Sequence, residues 1–300
     1  MPEANPVPDL TGKTVVITGA NGGLGAQIAT LAAARKARVV MACRNVDTAC
    51  AVADGIDGDT IVERLDLSDL GSVRAFAGRV DEPIDVLINN AGIMNVPHGA
   101  TVDGYESTFG TNHLGHFALT GLLLERIRGR VVTVSSLAHL VATRGSLADP
   151  LFLRHPYRRA VAYANSKASN LIFSRELNRR LVAAGSPVIS VAAHPGVVST
   201  GLYDHSSLAL LQRLKPLVTA AGGTVAEGVA PIAHAAFGDQ VYGGEFYGPR
   251  FGYRGRRVVP SVSSSLSRNY EQAQLLWTLS EDLTGVRFPA SVPSSKGIQS

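Results

Sequence analysis

The amino-acid sequence predicts an α/β fold: a doubly wound parallel sheet of about seven strands, with helices on both faces. Two observations carry this prediction. Short apolar runs of strand length recur along the chain, and a segment with helical periodicity separates each run from the next. Strands of a parallel sheet are covered on both faces, so they read as continuous apolar runs. The candidate strands are 13–18, 38–42, 60–65, 84–88, 130–134, 188–193 and 245–247.

The size and composition favour one globular unit over two. The chain has 300 residues, of which 45% are apolar, and no linker or repeat interrupts it. We therefore expect a single domain over residues 1–300, with an extended leader at 1–10 and a flexible tail at 290–300.

Charge and cysteine content exclude several classes of function. The net charge of +4 comes from 28 basic and 24 acidic residues without a basic run typical of nucleic-acid binding. The two cysteines, Cys43 and Cys50, have neither redox nor zinc spacing, which favours a reduced, cytoplasmic location. No stretch of about 18 apolar residues occurs, so we expect no membrane anchor.

A glycine-rich turn follows the first candidate strand. Its sequence is Gly19-Ala-Asn-Gly-Gly-Leu-Gly25, and a helical segment at 27–36 and the strand at 38–42 complete a βαβ unit. Such a turn lets backbone N–H groups approach a pyrophosphate at a helix N-terminus. The spacing G-x-x-x-G-x-G departs from the usual G-x-G-x-x-G order, and a plain turn is the alternative interpretation.

Two further positions bear on a dinucleotide. The residue after the second strand selects between NAD and NADP, and Arg44 there suits a 2′-phosphate. The alternative is that Arg44 is a surface arginine and that Asp47 selects between NAD and NADP. Asp66 follows the third strand, where it could reach an adenine; equally, it could belong to the N-cap region of a helix starting near Asp69.

A phenol and an ammonium lie four residues apart, at Tyr163 and Lys167, and therefore share one helix face. A phenol has a reference pKa of about 10, so acid–base work near pH 7 requires about 4 kcal/mol of differential stabilisation. One charge about 4 Å away supplies about 4 kcal/mol at an effective dielectric of about 20. The pair can therefore be catalytic, although a half-buried aromatic beside a solvated amine is the alternative.

These motifs occur together in a fixed order. They are Thr18-Gly-x-x-x-Gly-x-Gly25, Asp66-Leu67, Asn89-Asn-Ala-Gly92, Asn112, Val134-Ser-Ser136, Tyr163-x-x-x-Lys167 and Pro195-Gly196 with Thr200. Together they resemble the short-chain dehydrogenase/reductase family over about residues 10–248, which implies a Rossmann fold. Segments 42–45, 103–106, 111–117 and 135–139 are similar to the retinol-dehydrogenase and protochlorophyllide-reductase-like branch, which usually prefers NADP(H).

The resemblance assigns catalytic roles to four residues. Tyr163 exchanges a proton with the substrate oxygen, while Lys167 lowers the tyrosine pKa and holds the nicotinamide ribose. Ser136 hydrogen-bonds the same oxygen, and Asn112 connects Lys167 to solvent through a water. The preference for Ser136 over Ser135 follows the family pattern, and neighbours on a strand face opposite sides.

The expected cofactor is NADP(H), favoured over NAD(H). Three consecutive residues at 90–92 would close one wall of its site, and residues 195–200 would shape the nicotinamide side. The assigned cofactor residues are Gly19, Asn21, Gly23, Leu24, Gly25, Arg44, Asp66, Leu67, Asn90, Ala91, Gly92, Tyr163, Lys167, Pro195, Gly196, Val198 and Thr200.

Two segments are candidates for the substrate end. The segment 137–162 between Ser136 and Tyr163 is long and could edge the cleft. Residues 201–221 carry leucines at helical spacing and resemble the family's mobile substrate lid, which favours a lipophilic substrate. The alternative is a helix that only packs on the sheet.

Other conspicuous side chains have structural interpretations. His113 and His116 lie three apart on a helix and could share a metal, but no convincing third ligand is placed, so we expect no metal. His139 could edge the substrate cleft, and His194 is expected to pack or cap. The lone Trp277 is expected in a late helix from about 266 to 283, packed as core against the sheet edge.

The sequence thus favours an NADP(H)-dependent oxidoreductase that interconverts a carbonyl and an alcohol on a lipophilic small molecule. The alternatives are an enzyme of the same family with ene-type reductase or epimerase chemistry, and a non-catalytic dinucleotide sensor. Helix faces around 104–126 and 161–180 could pair subunits into a homodimer or homotetramer, as they do in many members of the family.

Overall fold

The computed structural model describes residues 7–197 and 223–289 and contains a mixed sheet in that part of the chain. The strand order is β3-β2-β1-β4-β5-β6-β7-β8. The first seven strands are parallel, and β8 runs antiparallel to β7. The strands are β1 Thr14–Thr18, β2 Arg38–Cys43, β3 Thr60–Arg64, β4 Ile84–Asn89, β5 Ile127–Val134, β6 Ile189–Ala193, β7 Phe246–Pro249 and β8 Val258–Pro260.

This topology confirms the predicted α/β class and all seven predicted strands. The eighth strand, β8, was not predicted. It has three residues and ends in Pro260, so it is too short for a periodic pattern, and its proline suits the edge of a sheet.

The helices flank the sheet and join its strands. A π-helical segment, Gly110–Leu114, lies between α4 and α5. Helix α1 begins four residues earlier than predicted because the glycine turn leads directly into it. The helices are α1 Gly23–Ala33, α2 Val46–Ala53, α3 Leu70–Arg79, α4 Ser107–Phe109, α5 Gly115–Leu123, α6 Arg144–Leu147, α7 Arg159–Ala183, α8 Val225–Phe237 and α9 Tyr270–Thr284.

The core consists of two main layers, one on each face of the sheet. Val15 and Ile17 of β1 pack with α1 and α8 on one face, whereas Val16 packs on the other face with α3, α5 and α7. Successive side chains of a strand alternate between faces, so one apolar strand serves both layers. This arrangement confirms the doubly wound architecture.

Trp277 of α9 is buried, as predicted, but not against the sheet edge. Its ring lies 5.1 Å from Phe117 of α5 and 5.9 Å from Phe173 of α7, measured between centroids. Phe288 completes this group at 4.6 Å, and the Arg180 guanidinium lies 4.1 Å from the indole centroid. Helix α9 therefore packs on the outside of α5 and α7.

Several sequence predictions fall outside the described residues. They are residues 1–6 of the leader, the lid at 201–221, the tail at 290–300, Val198 and Thr200. Within 7–197 and 223–289, no helix combines the length and apolar character needed to cross a membrane.

Candidate active site

A cavity of about 780 Å³ opens at the carboxyl ends of the parallel strands. Ligands of open α/β sheets bind at this edge. The cavity gathers residues that follow β1 through β6, although they are far apart in the sequence. The predicted site residues that line it are Gly19, Asn21, Gly23, Leu24, Gly25, Arg44, Asp66, Leu67, Asn90, Ala91, Gly92, Ser136, Tyr163, Lys167, Pro195 and Gly196.

The glycine turn is shaped by contacts that exclude side chains. Gly19 has a φ of +67°, and a Cβ there would lie 2.9 Å from the Cβ of Ala91. A Cβ on Gly25 would lie 2.3 Å from the carbonyl oxygen of Gly19. The N-cap of α1 is Gly22, which has no side chain to occupy the first N–H groups. The turn therefore fits a phosphate group, which the exposed N–H groups can bind.

An exposed cation lies in the cavity wall after β2. Arg44 lines the wall, while Asp47 lies in the first turn of α2 and is not among the lining residues. Asp66 also lines the cavity, and its Oδ1 accepts from the N–H and hydroxyl of Ser68 at 2.9 and 2.6 Å. The N-cap of α3 is Asp69, so Asp66 shapes the preceding turn instead.

The part of the cavity wall that follows β4, Asn90–Gly92, is hydrogen-bonded to Thr18 at the end of β1. Thr18 Oγ1 accepts from the N–H groups of Asn90 and Ala91, each at 2.9 Å. The Asn90 side chain donates in turn to the Thr18 carbonyl at 2.9 Å. These bonds fix the position of Asn90–Gly92 relative to the glycine turn.

Tyr163 and Lys167 lie one turn apart on α7. Tyr163 is half-buried at the cavity wall, and Lys167 Nζ lies 5.7 Å from the centroid of its ring. Lys167 is only 4% exposed, so the interpretation as a solvated amine is wrong. Burial lowers the pKa of Lys167 to about 8, which leaves the amine mostly charged at neutral pH.

The two serines after β5 make different contacts. Ser136 lines the cavity and caps the following 3₁₀ turn, where its Oγ accepts from the N–H of Ala138 at 3.2 Å. Ser135 also borders the cavity, but it is buried and its hydroxyl donates to the Lys167 carbonyl at 2.7 Å. The hydroxyl of Ser135 is thus committed to α7, whereas that of Ser136 keeps its proton for a ligand.

Asn112 lies behind the cavity wall and is fully buried in the π-helical segment. Its side chain exchanges two bonds with the backbone of Ile93, at 2.8 and 2.9 Å, and donates to Ser166 Oγ at 3.0 Å. A Cβ on Gly92 would lie 3.2 Å from Asn112 Oδ1 and 3.4 Å from Lys167 Nζ. Gly92 thus provides the space between these two side chains. π-Helical turns of this kind are common at functional sites.

His139 and His194 also contact backbone at the site. His139 is buried, and its Nδ1 donates to the Ser136 carbonyl at 2.7 Å. His194 Nδ1 accepts from the N–H of Gly196 at 3.1 Å, which agrees with its expected capping role. Burial lowers the pKa of His194 to about 4. Within the described part of the chain, no group of three His, Cys, Asp or Glu side chains could hold a metal ion.

The substrate end includes residues that the sequence analysis did not assign. The segment 137–162 reaches the cavity through Ala138, Val141, Arg159 and Ala160, so it does edge the cleft. The (i, i+4) spacing of Arg159 and Tyr163 on α7 was the signal that could have found the arginine. Further lining residues that were not assigned include Ile93, Met94, Asn95 and Thr111.

Comparisons with known proteins agree with this geometry. The sequence profile of the short chain dehydrogenase family matches residues 13–148. Human retinol dehydrogenase 12 is 42% identical over 93% of this chain and 88% of its own length. A solved protein from Mycobacterium paratuberculosis is 46% identical, with a TM-score of 0.82 over 96% of this chain and 98% of that one.

A solved protein from Beutenbergia cavernae, containing NADP at low occupancy, is 26% identical. The match has a TM-score of 0.63 and covers 81% of this chain and 97% of that one. The whole-length identity to retinol dehydrogenases and the shared architecture lead to one conclusion. The chain belongs to the short-chain dehydrogenase/reductase family, in the branch of the retinol dehydrogenases.

Proposed function

We propose that the protein is an NADP(H)-dependent oxidoreductase that interconverts a carbonyl and an alcohol on a lipophilic small molecule. The observation that carries this proposal is the shared cavity. Tyr163 and Ser136 line the same cavity as the glycine turn, and the buried amine of Lys167 lies one helical turn from Tyr163.

The residues at the wall suit the proton side of such a reaction. When bound, the nicotinamide ring would supply or accept a hydride at C4. Tyr163 would give the carbonyl oxygen its proton during reduction and take the proton back during oxidation. Ser136 would donate a hydrogen bond to the same oxygen, where negative charge develops. The cation of Lys167 would stabilise the phenolate form of Tyr163.

The positions of the remaining predicted residues support their proposed roles. The polar ends of Asn112 and Lys167 both border the space beside Gly92, where a water would connect the two. The glycine turn and Asn90–Gly92 would hold the phosphates and ribose of the cofactor. Val198 and Thr200 remain proposed contacts on the nicotinamide side.

The preference for NADP(H) rests on Arg44. Its guanidinium is exposed at the cavity wall, where it could pair with a 2′-phosphate. The Beutenbergia relative contains NADP, which supports this cofactor class.

A lipophilic substrate is supported by apolar side chains in the cavity wall. Ile93, Met94, Ala138 and Val141 line the cavity, and Val141 is 70% exposed. Relatives bearing the name retinol dehydrogenase act on an apolar alcohol, which is consistent with this lining. Arg159 adds a charged group to the same wall.

The test is NADPH oxidation against a panel of aldehydes, ketones and quinones, with NADH as the comparison and product identification by mass spectrometry. We expect turnover of an apolar carbonyl to its alcohol. Saturation of a conjugated double bond would indicate an ene-type reductase instead. Tight NADPH binding without turnover of any compound would favour the sensor interpretation.

Tyr163→Phe tests the acid–base role directly. It should lower kcat by at least about 100-fold, which is the range of general acid–base contributions, while the Kd for NADPH changes little. Tyr157→Phe is the matched control, because the Tyr157 hydroxyl donates to the Val96 carbonyl at 3.2 Å and the residue does not line the cavity. Near-normal turnover by Tyr163→Phe would contradict the role of Tyr163.

A further inference from the structure

A buried imidazole connects the end of β1 with the π-helical segment. His116 of α5 is 1% exposed. Its Nδ1 lies 2.9 Å from the carbonyl oxygen of Asn112, and its Nε2 lies 2.9 Å from Thr18 Oγ1. His116 is not in the cavity wall, and its two hydrogen-bond partners are one backbone carbonyl, of Asn112, and one side-chain hydroxyl, of Thr18.

The hydrogen-bond partners determine which ring nitrogen carries the proton. A carbonyl oxygen can only accept, so Nδ1 must be the donor to Asn112. Nε2 then accepts from the Thr18 hydroxyl, which leaves both lone pairs of that hydroxyl for the N–H groups of Asn90 and Ala91. The competing acceptor for Thr18, the Ile88 carbonyl, is farther away at 3.4 Å.

A charged imidazolium would disrupt this set of bonds. Its additional N–H would point at Thr18 Oγ1, whose lone pairs already accept two backbone N–H groups. Burial, with a smaller effect from the charge of Lys167, lowers the pKa of His116 to about 4. The ring is therefore neutral across the physiological range, and the connection holds there.

We propose that His116 is a positioning residue with two separable functions, one for each ring nitrogen. The Nδ1 bond holds the backbone of Asn112 and so directs its side chain toward Ile93. The Nε2 bond orients the Thr18 hydroxyl to hold Asn90 and Ala91 at the cofactor wall. This inference deepens the proposed function, because its tests by kcat and by the Kd for NADPH depend on that function. Its test by amide hydrogen exchange does not.

The two bonds can be removed one at a time. His116→Asn keeps a donor at the place of Nδ1 but is too short to reach Thr18. His116→Gln places an acceptor at Nε2 but leaves no donor to Asn112. Thr18→Val removes the hydroxyl with little change in volume. His113→Gln is the matched control, because His113 is equally buried on the same helical stretch but bonds Ser280 Oγ of α9 at 2.8 Å.

We expect the variants to separate catalysis from cofactor binding. His116→Gln should lower kcat about tenfold and leave the Kd for NADPH within about twofold, the scale of one lost hydrogen bond. His116→Asn should raise that Kd about tenfold and leave kcat within about twofold. Thr18→Val should raise the Kd for NADPH as His116→Asn does. The double variant His116→Asn/Thr18→Val should have a Kd no higher than that of Thr18→Val alone.

Amide hydrogen exchange, measured by NMR on the protein without cofactor, provides the readout that does not depend on turnover. His116→Asn and Thr18→Val should accelerate exchange at Ala91, and less at Asn90, whose N–H also lies 3.0 Å from the Ile88 carbonyl oxygen. His116→Gln should accelerate exchange at Ile93, which donates to Asn112. Identical exchange and kinetic effects in both His116 variants, or effects no larger than those of His113→Gln, would overturn the proposal. A wild-type protein that reduces no carbonyl would refute the proposed function, while the exchange pattern would still decide the role of His116.

Discussion

Lys167 Nζ donates to the carbonyl oxygen of Val134 at 3.1 Å from a position almost closed to solvent. Burial alone lowers the lysine pKa from 10.5 to about 8. A buried charge held mainly by one carbonyl opposes folding. The protein therefore keeps this cation at a stability cost, as expected for a residue retained for function.

Lys167→Met should stabilise the fold at pH 7 by up to about 3 kcal/mol, the value of this pKa shift. Below pH 8 both folded and unfolded chains carry the charge, so the full penalty applies to the wild type. As the pH rises from about 8 toward 10.5, the folded chain loses its proton first and the penalty declines. Urea unfolding at pH 7 and near pH 9.5 measures the difference, which should shrink at the higher pH.

The same variant should lose turnover, since the cation that stabilises the phenolate is gone. Lys13→Met is the control, because the Lys13 side chain is 53% exposed and pairs only at the surface with Asp85. A Lys167→Met protein less stable than the wild type at pH 7 would show that the bond to Val134 outweighs the desolvation of the charge.

Arg44→Ala should weaken NADPH binding at least about tenfold and NADH binding no more than about twofold, because only NADPH carries a 2′-phosphate for a guanidinium to pair with. Isothermal titration at low and high salt measures both constants, and the loss should be smaller at high salt. Arg35→Ala, an exposed arginine away from the cavity wall, is the control. Equal losses of affinity for NADPH and NADH would show that Arg44 does not select between the two cofactors.

Ser136→Ala and Ser135→Ala should differ mainly in kcat. The first removes a donor to the developing oxyanion and should lower kcat about 100-fold, and loss of its cap on the Ala138 N–H should cost about 1 kcal/mol of stability. The second removes a buried hydrogen bond to the Lys167 carbonyl, so we expect a loss of about 1 kcal/mol of stability and a smaller effect on kcat. Steady-state kinetics distinguish the two, and urea titration measures the stability losses; a larger kcat loss in Ser135→Ala would reverse the assignment.

Gly92→Ala should reduce kcat about tenfold while the protein remains folded. The new methyl would lie 3.2 Å from Asn112 Oδ1, which must move by a few tenths of an ångström, and would fill the space up to Lys167 Nζ at 3.4 Å. Displacements of this order are large on the scale of catalytic geometry. Gly78→Ala is the control, since a Cβ there meets no atom within 4 Å. Unchanged kinetics in Gly92→Ala would show that the Asn112–Lys167 spacing is not critical.

The strands of the sheet and the residues that line the cavity could be predicted from the sequence. Strands buried on both faces are apolar throughout, and motifs after each strand converge because parallel strands end at one edge. Strand β8 was not predicted because three residues are too few to show an alternating hydrophobic pattern. Trp277 was placed correctly in the core but beside the wrong neighbours, because an apolar helix face does not identify the surface that covers it.

The contacts behind the cavity wall could not be predicted. The bond from His116 to Thr18 joins residues 98 positions apart, and the π-helical segment that presents Asn112 has no composition signal of its own. The burial of Lys167 also depends on the whole assembled core, since a lysine at that spacing is compatible with solvent. The order of the motifs therefore identifies which residues line the cavity, whereas the buried contacts that hold those residues in place are visible only in the three-dimensional structure.

The placement of α9 has a consequence for assembly. The apolar side chains of α5 and α7 that face outward, Phe117 and Phe173, are already covered by Trp277 and Phe288 of the same chain. A second copy could pair through these particular faces only after α9 had been displaced, which would expose a cluster of four aromatic rings to water. An oligomer that leaves α9 in place must therefore be built on other surfaces.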